Sequence, residues 1–112
     1  FNYGDMRRNF TYIDDAVIGT INCLYRKNKE PFQVFNIGNH RSEHLMDFIH
    51  HLEHLSGKKA ILEMKEMQPG DMKDTVADIS ESTKTFDFQP KTNLLEGLSY
   101  FIDWYKSYYS LT

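Results

Sequence analysis

Apolar and polar positions along this chain follow two different periods, and the switches between them lay out the expected elements. Residues 10–13 (Phe-Thr-Tyr-Ile) form a short β-branched and aromatic run that predicts a strand. Asp14 follows as the expected N-cap of a helix, with Asp15 in its first turn, where negative charge suits the helix dipole. Val17, Ile21, Leu24 and Tyr25 then recur on one face of an amphipathic helix that ends near Lys27-Asn28, before Pro31. Residues 33–37 (Gln-Val-Phe-Asn-Ile) alternate polar and apolar side chains as a second strand, stopped by Gly38-Asn39.

Ser42 is placed to cap a second helix, whose apolar face is Leu45, Phe48, Ile49, Leu52 and Leu55 and whose end is marked by Gly57. Residues 60–67 alternate again and predict a third strand with one wet face. Residues 68–75 read as a turn-rich loop around Pro69-Gly70. A capping box at Asp78 and Glu81 predicts a short helix over 78–85, and a second box at Asn93 and Glu96 opens the last one. That last helix should turn Leu98, Phe101, Ile102, Tyr105 and Tyr109 inward. The order β-α-β-α-β-α-α, about three short strands and four helices, is α/β in class.

Composition narrows the function. At 112 residues the chain has a single-domain length, enough for one modest core. A net charge of −3 gives no basic field with which to capture nucleic acid, so any anion site must be local. No apolar run approaches the ~20 residues of a membrane-spanning helix. The lone Cys23 excludes an internal disulfide and suits a reducing compartment, so the expected location is cytoplasmic. The chain opens on Phe1 and reaches its first expected strand within nine residues, which reads as a piece of a longer polypeptide.

Few residues offer chemistry. Arg8 stands just before the first expected strand, and its fork of donors matches phosphate or carboxylate oxygens bidentately. On position alone the simpler reading is a surface arginine paired with a neighbouring Asp. Arg7 should point to the other side of the strand. Gly70-Asp71 can bring backbone close to a ligand while the carboxylate accepts from hydroxyls, or it can form a turn that satisfies itself. Asp14 and Asp15, adjacent at a helix start, read as cap and dipole partner rather than as an acid/base pair. His50 and His54 have a zinc-compatible spacing, but the metal-assisting Glu is missing at the needed offset and a solvated face is the simpler reading. Tyr25 and Lys29 match a Tyr-x-x-x-Lys spacing by position alone, with no glycine-rich fingerprint upstream.

Taken together, residues 8–15 (Arg-Asn-Phe-Thr-Tyr-Ile-Asp-Asp), Asn36-Ile37-Gly38, Met67-Gln68-Pro69-Gly70-Asp71, Ala77-Asp78, Phe88-x-Pro90 and Glu96-Gly97-Leu98 with Trp104-Tyr105 resemble the C-terminal third of an extended short-chain dehydrogenase. The resemblance is to the nucleotide-sugar epimerase/dehydratase family, most closely the UDP-glucuronate 4-epimerases, and it runs end to end. It implies that residues 1–112 are a single C-terminal substrate-binding domain of a Rossmann-type enzyme. In that family an N-terminal Rossmann domain binds NAD and supplies a Ser/Thr-Tyr-Lys group. The C-terminal part closes over the UDP-sugar, whose C4 is oxidised to a transient ketone and reduced again on its other face. Carried onto this chain, Arg8 would hold the diphosphate, Gln68 would stand where many relatives have a second phosphate-contacting arginine, and Asp71 would accept from ribose hydroxyls or orient neighbouring donors. Asn9 replaces the acid common after that arginine, and Gln68 brings no positive charge. Asn36, Gly38, Asp78 and Gly97 would be structural.

No G-x-x-G-x-x-G fingerprint and no catalytic Tyr-Lys pair occur, so no catalytic or cofactor-binding residue is expected here. The partners implied are a UDP-sugar and the chain's own N-terminal Rossmann domain, with neither nucleic acid nor membrane. Apolar surface uncovered without that domain should favour self-association. The alternatives are a free-standing nucleotide-sugar-binding or regulatory module, and the same region of a dehydratase or decarboxylase.

Overall fold

The computed structural model of the protein describes residues 1–27 and 30–111. After a turn of 3-10 helix at Asn2–Gly4, the described chain forms β1 (Arg7–Arg8), α1 (Ile13–Tyr25), β2 (Glu43–His44), α2 (Leu45–Ser56), α3 (Ser80–Phe86) and α4 (Leu94–Tyr108). The class is α/β with four α-helices, as the periodicities predict. The strands are elsewhere. β1 and β2 pair antiparallel, Arg7 opposite His44 and Arg8 opposite Glu43. On its other side Arg7 bridges in parallel to Asp74, with the Arg7 amide donating to the Lys73 carbonyl at 2.8 Å.

None of the three expected strands forms a ladder among the described residues. Residues 10–12 are irregular, and Ile13 already belongs to α1. Residues 33–37 and 60–67 run without regular pairing, the latter tied by a single Tyr3 amide to the Lys65 carbonyl. Their side-chain alternation is real, but a strand is stabilised by cross-strand partners, and no partner edge is present here.

α1 begins at Ile13, with Tyr12 at the N-cap and no side-chain capping bond. Asp14 is therefore not the cap. It occupies the first turn with Asp15, one residue inside the helix. Asp15 is buried, and its carboxylate accepts from the Thr92 amide at 2.9 Å, tying α1 to the approach of α4. The helix is turned the opposite way to expectation. Val17, Ile21 and Leu24 are 45%, 48% and 61% exposed, and Tyr25 more so. Gly19 and Asp15 face inward instead. A Cβ on Gly19 would lie 2.8 Å from two ring carbons of Phe88, which is itself 1% exposed, so only a glycine admits this approach.

α2 has His44 at its N-cap, two residues later than expected; Ser42 bonds to Asp74 rather than capping, and the helix ends as expected on Gly57 in the left-handed region at φ 71°. α3 begins at Ser80 with Ile79 at its N-cap, so Asp78 does not cap it in the expected way. The Asp78 carboxylate instead accepts the Ser80 amide at 3.0 Å together with the Ser80 hydroxyl, and these two bonds hold its pKa below the ordinary aspartate value. α4 is capped as read: the Asn93 side chain accepts from the Glu96 amide at 2.9 Å. Of its expected inward residues, Leu98 and Ile102 are buried, while Phe101, Tyr105 and Tyr109 remain well exposed.

α2 and α4 pack together, α1 packs on α3, and the fully buried apolar set is small: Met6, Phe86, Phe88, Leu98 and Ile102. The molecule measures 48 × 38 × 18 Å, a slab rather than a ball, with a radius of gyration of 16.8 Å. A compact domain of this length would have ~13 Å.

Candidate functional site

The site grows from β1. Extended backbone sends the side chains of Arg7 and Arg8 to opposite sides, and each is received by its own set of partners. Arg7 donates to the Ser42 carbonyl at 2.6 Å and the Ser42 hydroxyl at 3.3 Å, and its Nη1 lies 2.6 Å from His44 Nε2. The Ser42 hydroxyl donates to Asp74 at 2.6 Å, closing a polar brace across three chain segments. Arg7, with the separation expected of it, is thus a fastener.

Arg8 faces the turn at residues 68–71. Its Nη2 donates to Asp71 Oδ1 at 3.0 Å, and its Nη1 donates to the carbonyls of Arg7 at 2.7 Å and Lys73 at 3.2 Å. The guanidinium is partly exposed, and its Nε–H has no partner among the described residues. Asp71 is set by the turn: its amide donates to the Gln68 carbonyl at 3.2 Å, and Gly70 at the third position has φ 84°, the left-handed geometry a Pro-Gly turn of this kind requires. Asp71 Oδ1 also accepts the Met72 amide at 2.8 Å, which fixes the carboxylate before it meets the arginine.

The structure brings Arg8 and Asp71 together across 63 residues of sequence and leaves Gln68 exposed in the same turn. Asn9 does not buttress Arg8; its side-chain amide donates to the Asn39 carbonyl at 3.1 Å. The acid missing at position 9 is supplied by Asp71. The arrangement is an arginine pre-aimed by a carboxylate, with donors left over at a partly open edge, which suits an oxyanion such as phosphate.

The positions read as structural behave so: the Asn36 side chain donates to the Asp78 carbonyl at 3.0 Å, and Gly38 and Gly97 admit Ala77 and the Tyr12 ring at close range. The brace formed by Arg7, Ser42, His44 and Asp74 was not read from sequence, because nothing local in the chain links those positions.

A cavity of about 630 Å³ lies between α4, α2 and residues 10–13, walled by Phe10, Tyr12, Phe48, Leu98, Phe101 and Trp104. Neither Arg8, Gln68 nor Asp71 lines it. Its walls suit an apolar group and offer no cation to a diphosphate. The phenols nearby are not activated. Tyr12 is pushed above the ordinary tyrosine value by partial burial and the carboxylates of Asp14 and Asp15, and Tyr100 by its hydrogen bond to Glu96. A tyrosine acid/base needs the opposite shift. Tyr25 closes α1 largely exposed, and Lys29 lies outside the described residues. His50 and His54 share an exposed face of α2, and no group of three metal-ligating side chains comes together among the described residues. No helix among them is long and apolar enough to cross a membrane.

A comparison with protein-family models finds no match. Individual relatives do match. The chain is 36% identical to protein CapI of Staphylococcus aureus over 97% of its own length and 37% of that protein's. It is 35% identical to UDP-glucuronate 4-epimerase 2 of Arabidopsis thaliana over 96% of its length and 28% of the relative's. The UDP-glucuronic acid 4-epimerase of Bacillus cereus, solved in complex with UDP-glucuronic acid and NAD, superposes with a TM-score of 0.87 at 37% identity, covering 97% of this chain and 35% of that one. The chain is homologous to a part of the UDP-glucuronate 4-epimerases, NAD-dependent extended short-chain dehydrogenases. It spans about a third of the length of the curated relatives it matches. The Arg8–Asp71 pair presents an aimed, partly open cation. The sequence holds no glycine-rich fingerprint, and its one Tyr-x-x-x-Lys spacing has its Tyr at an exposed helix end.

Proposed function

We propose that this chain is the UDP-sugar-holding, C-terminal portion of an NAD-dependent UDP-glucuronate 4-epimerase, inert as an isolated piece, whose NAD-binding Rossmann portion lies outside these 112 residues. Arg8 grips the diphosphate. Asp71 aims Arg8 and accepts from ribose hydroxyls through its second oxygen, and Gln68 adds an uncharged donor from the same turn. The observation that carries this reading is the 3.0 Å pairing of Arg8 with Asp71, in a chain that superposes on a UDP-glucuronic acid complex.

Inversion at C4 of a sugar requires a hydride to leave and return, and the fingerprint that holds its carrier in the family does not occur in this sequence. Its share of the work is binding and orientation. A fixed diphosphate anchors one end of the substrate and lets binding energy far from the reacting carbon contribute to its placement.

Calorimetric titration of the chain with UDP-glucuronate and with NAD tests this. Millimolar or weaker NAD binding and no turnover are expected. Turnover by the isolated chain, or tight NAD binding, would refute the inert-portion reading.

A further inference from the structure

Arg8 is seated on backbone rather than on side chains alone. Its Nη1 rests on the carbonyls of Arg7 and Lys73. Those same two carbonyls accept the bonds that join β1 to the segment around Asp74: the Arg7 amide donates to the Lys73 carbonyl at 2.8 Å, and the Thr75 amide donates to the Arg7 carbonyl at 3.3 Å. A bridge of two backbone bonds on a two-residue strand is marginal by itself. The Arg7 side chain reinforces it by holding the Ser42 carbonyl at 2.6 Å and meeting His44 Nε2 at 2.6 Å, while the Ser42 hydroxyl ties Asp74 at 2.6 Å. β1, β2 and the bridging segment are locked together in this way, and the seat of Arg8 with them.

The His44 link carries a chemical condition. A guanidinium has donors only, so Nε2 must accept and the ring's single proton must sit on Nδ1. A second proton removes the acceptor and sets two cations face to face. His44 is exposed, so water can deliver that proton. The charged imidazole then has another neighbour in Asp5, whose carboxyl is lowered chiefly by its 2.6 Å bond to Lys73 and further by the charge His44 can carry. Of the other carboxylates near the brace, Asp74 is taken by Ser42 and Arg7, and Glu43 and Asp47 flank His44 on β2 and in the first turn of α2.

Resting on the proposed function, we infer that His44 and Arg7 are positioning residues for Arg8: a neutral His44 completes the brace that aims Arg8 at the diphosphate, and a protonated His44 releases Arg7 and loosens the grip. Both act through Arg8 rather than on the ligand. The grip therefore weakens in acid although neither Arg8 nor the diphosphate changes charge.

The test uses a protein that also carries the NAD-binding portion. Calorimetry follows its affinity for UDP-glucuronate from about pH 8 to about pH 5.5, an interval in which histidine is the side chain that changes charge. Affinity in the parent should fall about fivefold, the size of one lost hydrogen bond. His44→Gln keeps an accepting oxygen for Arg7 but cannot take up a proton, so its affinity should change by less than about twofold. His44→Ala removes the acceptor outright and should show the weakened affinity already at pH 8. In an Arg8→Ala background the three forms at position 44 should become equal, because the effect travels through Arg8. Melting temperatures should stay level across the interval, since an exposed contact contributes little stability. An equal acid decline in His44→Gln overturns the inference, and so does an effect of position 44 that survives the loss of Arg8. The affinity of Arg8→Ala at pH 8 tests the proposed function separately. Undiminished binding without Arg8 sinks that function and leaves the brace nothing to aim; weakened binding with no effect of position 44 sinks the brace alone.

Discussion

At the corner around β1, the guanidinium of Arg7 reaches Ser42, His44 and Asp74, and that of Arg8 reaches Asp71 and two carbonyls. On the outer side of α1, Val17, Ile21 and Leu24 are roughly half exposed, with no apolar partner surface laid over them. Polar groups carry a large desolvation cost when left unmatched, so this polar corner is completed within the chain. Apolar side chains carry their cost only while they face water, and that cost is removed whenever a second surface arrives. One region is finished; the other is left open to solvent. α1 separates them, since its inward residues serve the first kind of packing and its outward row awaits the second.

The sharpest way to break the contrast is to remove what α1 packs on. Phe88→Ala empties the most buried large side chain in the molecule and should cost about 3–5 kcal/mol. Chemical denaturation measures it, and a cost below that of a surface change would mean α1 is not seated as described. Arg8→Ala, made in a protein that also carries the NAD-binding portion, should weaken UDP-glucuronate binding by about 1.5–3 kcal/mol by removing a charge-assisted contact. Asp71→Asn should raise KM by less while leaving kcat near its starting value, since it loosens the aim of Arg8 without removing it. An unchanged KM in both variants would turn the pair into a surface ion pair of ordinary, small worth.

The two adjacent aspartates sharpen the comparison from within a single helix turn. Asp15→Ala leaves the Thr92 amide without its acceptor and should cost about 1–3 kcal/mol. Asp14→Ala loses only a favourable position near the helix N-terminus, about 0.3–1 kcal/mol. Thermal melts of the two variants side by side decide it; equal losses would restore Asp14 to the capping role that the spacing suggests. Smaller still, Val17→Ser on the outward row should change the stability of the lone chain by no more than about 0.5 kcal/mol, although the same change inside a core would not be tolerated so easily.

What could be read from sequence divides by range. The Asn93 cap, the Gly57 terminus and the Pro69-Gly70 turn depend on residues within four positions of one another, and all three stand as expected. The Arg8–Asp71 pair spans 63 residues; each member was legible as a candidate, but only the fold shows that they meet. Periodicity at α1 identifies an apolar face and says nothing of which body covers it, so the face was assigned to a core that this chain does not contain. The expected strand at 33–37 misleads in the same way. Alternation records a preference that only a neighbouring edge satisfies. The brace of Arg7 with Ser42, His44 and Asp74 left no mark in the sequence, because serine, histidine and aspartate at unrelated positions carry no period.

Acid sharpens the contrast last and least, since it acts on polar ties and spares apolar packing. Glu53 near the end of α2 accepts the Ala60 amide at 2.9 Å and the Lys59 ammonium at 3.0 Å, and in that order these bonds hold its pKa below the ordinary value of 4.5. Asp5 is lowered by its bond to Lys73. A carboxylate whose folded pKa is depressed contributes stability that is complete above its unfolded value and is lost as the pH falls through the lower folded one. The melting temperature should therefore hold steady from neutral pH down to the ordinary carboxylate range and decline below it. Glu53→Gln keeps an acceptor for the Ala60 amide but cannot titrate, so the variant should begin lower at neutral pH and decline less steeply in acid. Identical slopes for the variant and the parent would place the acid sensitivity elsewhere, with Asp5 and Asp78 the next to replace. Throughout that titration the near-ultraviolet signal of the aromatic side chains around Phe86 and Phe88 should persist until the chain melts, because these two rings are buried against apolar neighbours.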